Sequence, residues 1–411
     1  MFKIFSKKII FIFVILAFNL IIGVRTSIDI FYLFFWFLAA TLAINFFWVT
    51  LEYLGVRLYL ERNIVAKIEE DDTVDIEVNI KNNGWVPAVN FVLEDCLTCA
   101  APNETQRLIL IDYLGRRSAV RVRYNSICPK RGRYILGPFR VYFFDPFGLF
   151  FFKKTYDVYS ELYVYPKTFP IKKFPPLAKG IMPWFGIDTI HTSGDDDEFF
   201  GVREYREGDP IKRIHWISSA RKNSLIVKQF QRQSYFRATI IFNLEKDKNF
   251  GEGKETVAEY IIKIAASVAK YLIDLNVSVE IIAHVGEIVH IPFNKGRDHL
   301  EDILKFLSLA QPESRVSICE IFQEHARYIA DNSSLIIIML DKDWEYLPEM
   351  LPLGKRNISL IPLIILSSTF IYMPEKRDVI TDVRQKVSQL FNFNPIIFSR
   401  QDKLEESFLR Y

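Results

Sequence analysis

Ala238-Thr239-Ile240-Ile241-Phe242, residues 256–275 (TVAEYIIKIAASVAKYLIDL) and residues 277–283 (VSVEIIA) decide the fold of the C-terminal half. The first and third are short apolar runs of buried-strand length. Between them Val257, Ile261, Ile264, Val268 and Leu272 recur at helical spacing, and Thr256 and Glu259 stand where a capping box places them. Strand, helix, strand implies a right-handed crossover between parallel strands. The alternation continues with a helix over 298–309 and strands over 335–340 and 358–366. The expected product is a mainly parallel, three-layer, Rossmann-like α/β domain over 199–411.

Upstream the pattern changes. Pro166, Pro170, Pro175, Pro176 and Pro183 mark 166–198 as an extended connector. Residues 61–165 read as antiparallel β. Val74-Asp75-Ile76-Glu77-Val78-Asn79-Ile80 alternates strictly, as does Val120-Arg121-Val122-Arg123-Tyr124. Asn82-Asn83-Gly84, Lys130-Arg131-Gly132 and Asp145-Pro146-Phe147-Gly148 supply turns. Short strands without a helical period predict a small β sandwich, immunoglobulin-like, with a binding or spacer role. Cys96 and Cys99 form one C-x-x-C, whereas Cys128 and Cys319 stand alone. A zinc ribbon needs a second pair, so reduced structural thiols are expected.

Residues 1–60 read as a transmembrane hairpin. Residues 9–24 are almost purely apolar, and 30–51 carry only Thr41, Asn45 and Thr50 as polar exceptions. A run of about 22 residues spans a hydrocarbon core of about 30 Å. No A-x-A-like cleavage site follows the first run. Lys3, Lys7 and Lys8 outnumber Arg25 in the turn, which predicts a two-pass membrane protein with its N-terminus and soluble domains in the cytoplasm. The lipid contact is assigned to residues 9–51. The 411-residue chain has a formal charge of +3 and is 25% charged. Lys3, Lys7, Lys8 and Arg25 against Asp29 account for that whole excess, so net charge gives no reason to expect nucleic acid.

The densest segment is 199–228, which contains Arg203-Glu204-Tyr205-Arg206-Glu207-Gly208-Asp209-Pro210-Ile211-Lys212-Arg213-Ile214-His215-Trp216 and then Ser219-Ala220-Arg221 and Lys228. Gly208-Asp209-Pro210 is a turn. The arginines offer planar forks for carboxylates or phosphates. Two uses compete: Asp209 pairs with one of them and locks the segment, or the segment docks an acidic partner. His215 has no Ser or Cys nucleophile specified with it, so no catalytic residue is assigned.

The run R-x-Y-x-x-G-D-x-x-R-x-I-x-W-x-x-x-A-R resembles the bacterial and archaeal domain-of-unknown-function 58 family. The membrane hairpin, Arg131-Gly132-Arg133-Tyr134, Asp145-Pro146-Phe147-Gly148-Leu149 and Val164-Tyr165-Pro166 resemble its layout too. The resemblance implies a von Willebrand factor A-like domain, and a prokaryotic gene beside one for a MoxR-type AAA+ ATPase. It makes Arg203, Tyr205, Gly208, Asp209, Arg213, His215, Trp216, Ala220, Arg221 and Lys228 the family-motif, interaction-site residues.

A working von Willebrand A domain holds a divalent cation through D-x-S-x-S after its first strand. Here Asn243, Glu245 and Asp247 fill those positions, and Asp341 follows a later strand. Oxygen ligands remain, but the first Asp and both hydroxyls are gone. Mg²⁺ is the ion such a degenerate set would take; solvated charges without a resident cofactor are the expectation. No P-loop, kinase, zincin or hydrolase signature occurs. The expected function is a membrane-anchored adaptor for a cytoplasmic AAA+ ATPase acting on envelope proteins. The alternatives are a passive scaffold for envelope assembly and a cation-dependent hydrolase using the 203–221 cluster.

Overall fold

A computed structural model describes residues 2–64, 68–177, 193–206, 209, 211, 214–231, 236–343, 356–371, 384–385, 395–400 and 402–409. The chain divides into two compact units, Met1–Lys167 and Thr168–Tyr411.

The first unit opens with two apolar helices, α1 (Phe2–Thr26) and α2 (Asp29–Gly55), reversed at Ser27 with φ 52°. Lys8–Thr26 and Asp29–Gly55 are long and apolar enough to cross a membrane, and nearly all their side chains are uncovered by protein. Leu16 and Leu42 pack together with Leu149. Helix α2 runs almost directly into strand β1 (Leu58–Ile64), so the expected boundary at residue 60 falls inside a strand. The other strands are β2 (Ile68–Glu69), β3 (Thr73–Asn82), β4 (Ala88–Cys96), β5 (Gln106–Leu114), β6 (Ala119–Ile127), β7 (Gly132–Leu136), β8 (Phe139–Phe144), β9 (Phe151–Tyr156) and β10 (Ser160–Tyr165). They form sheets β1-β3-β6, β5-β4-β8-β9 and β2-β10-β7; all pairs are antiparallel except β10 with β2. Val74, Ile76, Val78 and Ile80 are all buried, as the alternation requires, and join Phe91, Leu93, Val141 and Phe143 in one core. Burying each such side chain stabilises by about 1.5–3 kcal/mol. The four cysteines are free thiols, and Cys99 is held against Cys128 within this unit.

Inside that core lies an ion pair. Arg62 and Asp95 are both fully buried, with Nε donating to Oδ2 at 3.2 Å and Nη2 to Oδ1. Arg62 Nη1 donates to the Leu136 carbonyl at 3.0 Å, its guanidinium lies 4.2 Å from the Phe139 ring centroid, and the Tyr124 hydroxyl donates to Asp95. Where α2 ends, chain segments nearly touch. Asn83 N–H donates to the Arg57 carbonyl at 2.7 Å, and Trp85 N–H to the Gly55 carbonyl at 3.2 Å. Val89 N–H donates to Oε1 of the buried Glu52 at 3.0 Å, while Phe46 and Tyr53 pack on Phe152.

The second unit begins before the expected domain. Residues 168–177 lie against it instead of forming a free connector. Phe169 N–H donates to Ser267 Oγ at 3.0 Å, and the Phe174 ring stacks 5.9 Å from Phe408. The acidic run 195–198, read as part of the linker, belongs to strand β11 (Ser193–Glu204). Pro183 lies outside the described residues. Helix α3 (Trp216–Lys222) and β12 (Ile226–Gln231) follow, and β12 pairs antiparallel with β11.

Then come β13 (Arg237–Asn243), the two-residue pair β14 (Gly251–Glu252) and β15 (Glu255–Thr256), α4 (Val257–Asp274), β16 (Ser278–His284), β17 (Ile288–Asn294), α5 (Arg297–Leu309), α6 (Ile318–His325), β18 (Ser334–Leu340), β19 (Ser359–Ile365), α7 (Ser368–Ile371), β20 (Ile396–Phe398) and α8 (Leu404–Ser407). Thr256 caps α4 by accepting from Glu259 N–H at 3.3 Å. Six strands form one sheet in the order β17-β16-β13-β18-β19-β20. Every pair is parallel except β16 with β17, so the sheet is mixed. The missed strand β17 is an edge strand whose side chains alternate between exposed and half-buried, too weak an apolar signal to stand out. All seven residues of β18 are buried, the mark of a strand covered on both faces.

Candidate functional site

Two places emerge: the motif segment and the carboxyl end of the six-stranded sheet. In the motif, Arg203 makes a fork-to-fork pair with Asp209, Nη1 to Oδ2 and Nη2 to Oδ1, both at 2.7 Å. Arg206 N–H adds a third bond to Oδ2 at 2.8 Å. Tyr205 N–H donates to the Leu225 carbonyl at 2.8 Å, and His215 N–H to the Ile226 carbonyl at 2.7 Å. Asp209 thus closes the loop between β11 and α3, the structural one of the two uses weighed above. Its carboxyl is held below the ordinary carboxylate range, chiefly by the Arg203 guanidinium and then by Arg206 N–H. A lowered folded-state pKa contributes stability above the unfolded value, and that contribution is lost as pH falls through the folded one. Acidification through that lowered value should therefore release the loop. Hydrogen exchange at Arg206 reads this directly: Asp209→Asn should deprotect that amide at neutral pH as acid does in the native chain.

His215 caps α3. Its Nδ1 accepts from Ser218 N–H at 3.2 Å and lies 2.7 Å from Ser218 Oγ. The sequence reading missed Ser218, whose i,i+3 spacing from His215 was the available signal. An i,i+3 contact in the first turn of a helix is capping geometry. Asn223, at φ 50°, ends the helix in the left-handed region. Lys228 is half-buried opposite Val202. Ala220 and Arg221 are exposed, and Trp216 and Ile217 remain 64% and 66% exposed. Gly208 and Arg213 lie outside the described residues.

The second place follows from topology. The chain leaves β13 toward β16 on one side and later adds β18 on the other, so the β13/β18 carboxyl ends are the switch point where open α/β sheets bind ligands. Asn243 and Glu245 do meet there: Asn243 Nδ2 donates to Glu245 Oε1 at 3.2 Å and to the Val316 carbonyl. Two residues absent from the sequence expectation complete the cluster. Lys248 Nζ donates to Glu245 Oε1 at 3.1 Å and to Asp343 Oδ1 at 3.0 Å, and Asp343 Oδ2 accepts from Leu340 N–H at 3.2 Å. Only the i,i+3 spacing of Glu245 and Lys248 was visible in the sequence; Asp343 is 95 residues from Lys248.

Burial raises the Glu245 carboxyl above its ordinary range although Lys248 opposes this. Burial alone would lower the Lys248 ammonium, but Asp343 and Glu245 more than offset it and hold it above the ordinary lysine range. The other two expected ligands are elsewhere. Asp341 accepts from Ser367 Oγ at 2.6 Å and Ser367 N–H at 3.2 Å, and Asp247 is exposed. Among the described residues no three His, Cys, Asp or Glu side chains group so as to hold a metal ion. Of the expected set, Asn243 and Glu245 are brought together, with the Lys248 ammonium between Glu245 and Asp343, whereas Asp247 and Asp341 are not part of that cluster.

Comparison with known proteins adds a family but no activity. No curated protein matches the chain. Solved structures that resemble parts of it include the CARDB domain of a Pyrococcus furiosus protein in complex with di-metal ions, 13% identical over 27% of this chain and 89% of its own, at a TM-score of 0.20. Another is Pseudomonas fluorescens alkylpurine DNA glycosylase AlkC, 10% identical over 28% of this chain and 32% of its own, TM-score 0.17. A β-glucosidase from Listeria innocua is 12% identical over 27% and 16%, TM-score 0.16. Each likeness is confined to little more than a quarter of the chain and bears no functional argument. The family model described as "Protein of unknown function DUF58" matches residues 201–362, the stretch that holds the Arg203–Asp209 loop and both sides of the switch point, and that stretch is what this chain shares with the DUF58 family.

Proposed function

We propose that this protein is a membrane-anchored adaptor whose motif segment docks a cytoplasmic AAA+ ATPase of the MoxR type, for remodelling or maturing envelope proteins. In this reading the hairpin crosses the membrane twice and returns the chain to the cytoplasm. The β region acts as a sandwich-like spacer, and the second unit as a von Willebrand A-like platform.

One observation carries it: the motif spends its charged and hydrogen-bonding groups on itself and leaves its greasy ones uncovered. Arg203, Asp209 and His215 hold the loop and helix, whereas Trp216 and Ile217 project from α3 at 64% and 66% exposure. Arg221, four residues beyond Ile217 on the same helix face, and Lys222 add positive charge. An exposed aromatic beside arginine is the composition of an interface hot spot, and the basic rim selects an acidic partner.

Full-length protein extracted in detergent should retain the ATPase on affinity purification. Trp216→Ala with Ile217→Ser should cut retention at least about tenfold while leaving the melting temperature unchanged, since neither side chain is in a core. Absence of the ATPase from the native eluate, with and without ATP, would sink the proposal.

A further inference from the structure

The switch-point cluster is built around one cationic position. Glu245 and Asp343 both reach the same ammonium, the Asp343 side chain is 5% exposed and the Glu245 side chain 16%. Two carboxylates and one ammonium leave the cluster with a net charge of −1, so it is a place for cations. A further acceptor points to the same conclusion: Asn243 is 7% exposed, and its Oδ1 is buried with no hydrogen-bond partner. Such an orphaned acceptor destabilises the fold unless a donor or cation meets it. Asn243, Glu245, Lys248 and Asp343 line a cavity of about 20 Å³, which holds one water or one ion but not an organic ligand.

We propose that Lys248 is a built-in cation occupying the position of a divalent ion, so that this sheet edge works without metal and becomes a Mg²⁺- or Mn²⁺-binding site once the amine is removed. The oxygen donors would be Glu245, Asp343 and Asn243 Oδ1. The separations of 3.0 and 3.1 Å are those of ammonium–carboxylate pairs; Mg²⁺ requires oxygens at about 2.0–2.1 Å. Tethering decides the competition. Lys248 is three residues from Glu245 and is delivered without loss of translational freedom, whereas a free ion must be captured from solution and dehydrated. The inference does not depend on the adaptor reading.

The test uses the full chain in detergent micelles, with Mn²⁺ as the probe, followed by electron paramagnetic resonance and by melting temperature with and without EDTA. The native chain should give no specific Mn²⁺ signal and a melting temperature indifferent to EDTA. Lys248→Ala should melt lower, bind one Mn²⁺ at least about tenfold more tightly than the native chain, and recover stability as it binds. Asp343→Asn in that background should abolish the gain. Lys248→Ser, which offers a hydroxyl in place of the amine, is the second variant if alanine prevents folding. An EDTA-sensitive native protein overturns the proposal, as does a folded Lys248 variant that gains no Mn²⁺. If neither variant folds, the native measurement decides alone.

Discussion

Asp95→Ala should destabilise the first unit by about 3–5 kcal/mol, because it strands the Arg62 guanidinium in a fully buried core. Its other contacts do not compensate. Leu136 supplies one carbonyl and Phe139 one ring face, and neither carries a negative charge. The Tyr124 hydroxyl loses its acceptor as well. Of a total domain stability of about 5–15 kcal/mol, that is a large share. The check is chemical unfolding of the full chain in micelles, following the transition of this unit. Arg62→Met combined with Asp95→Leu should cost less than Asp95→Ala alone, since an apolar pair leaves no uncompensated charge. A double variant worse than the single one would mean that the hydrogen bonds to Leu136 and Tyr124, and not charge compensation, set the effect.

Gly84→Ala should cost about 3 kcal/mol in the same unit by overpacking a backbone contact that has no side chain able to yield. A Cβ at Gly84 would lie 2.2 Å from the Gly55 carbonyl oxygen and 2.7 Å from Arg57 N, both main-chain atoms. The contrast is Gly253→Ala in the second unit. That residue has φ +63° but nothing within 4 Å of its Cβ position, so only the left-handed backbone is penalised, by about 1 kcal/mol. Thermal unfolding of both variants distinguishes close approach from backbone strain as the reason each position is glycine. Equal losses would remove the steric argument for Gly84.

Much of the fold could be read from local pattern, and the exceptions have physical causes. Val74 to Ile80 and residues 256–275 were legible because one side of each element is buried and the side-chain period shows it. Strand β17 was not, because its half-exposed edge mixes His290, Pro292 and Asn294 into the pattern. Helix α3 has seven residues and no apolar stripe facing a core; His215 and Asn223 define it through its ends. Asp195 to Glu198 fell within the expected connector, yet they belong to a strand with pairing and bulges of its own. In the motif, the pairing of Asp209 with an arginine was foreseeable from type and proximity, whereas the choice of Arg203 over Arg206 required geometry. The switch-point cluster was half visible. Asn243 and Glu245 lie at the end of a recognisable strand, but the partners that give them meaning are a lysine in a charged loop and an aspartate in the turn after another strand. No local pattern joins residues that far apart.

The junction at Gly55, Glu52 and Gly84 has a mechanical consequence. A helix that ends in a flexible linker lets the attached body swivel, and a tug on that body is spent in straightening slack. Here backbone bonds from Asn83 and Trp85, the Glu52 clasp on Val89 and the packing of Phe46 and Tyr53 on Phe152 join α2 to the β sheets with almost no intervening chain. Force applied to the β region therefore passes into the helix pair as torque and tension, with little compliance at the joint. The first unit behaves as a stiff post.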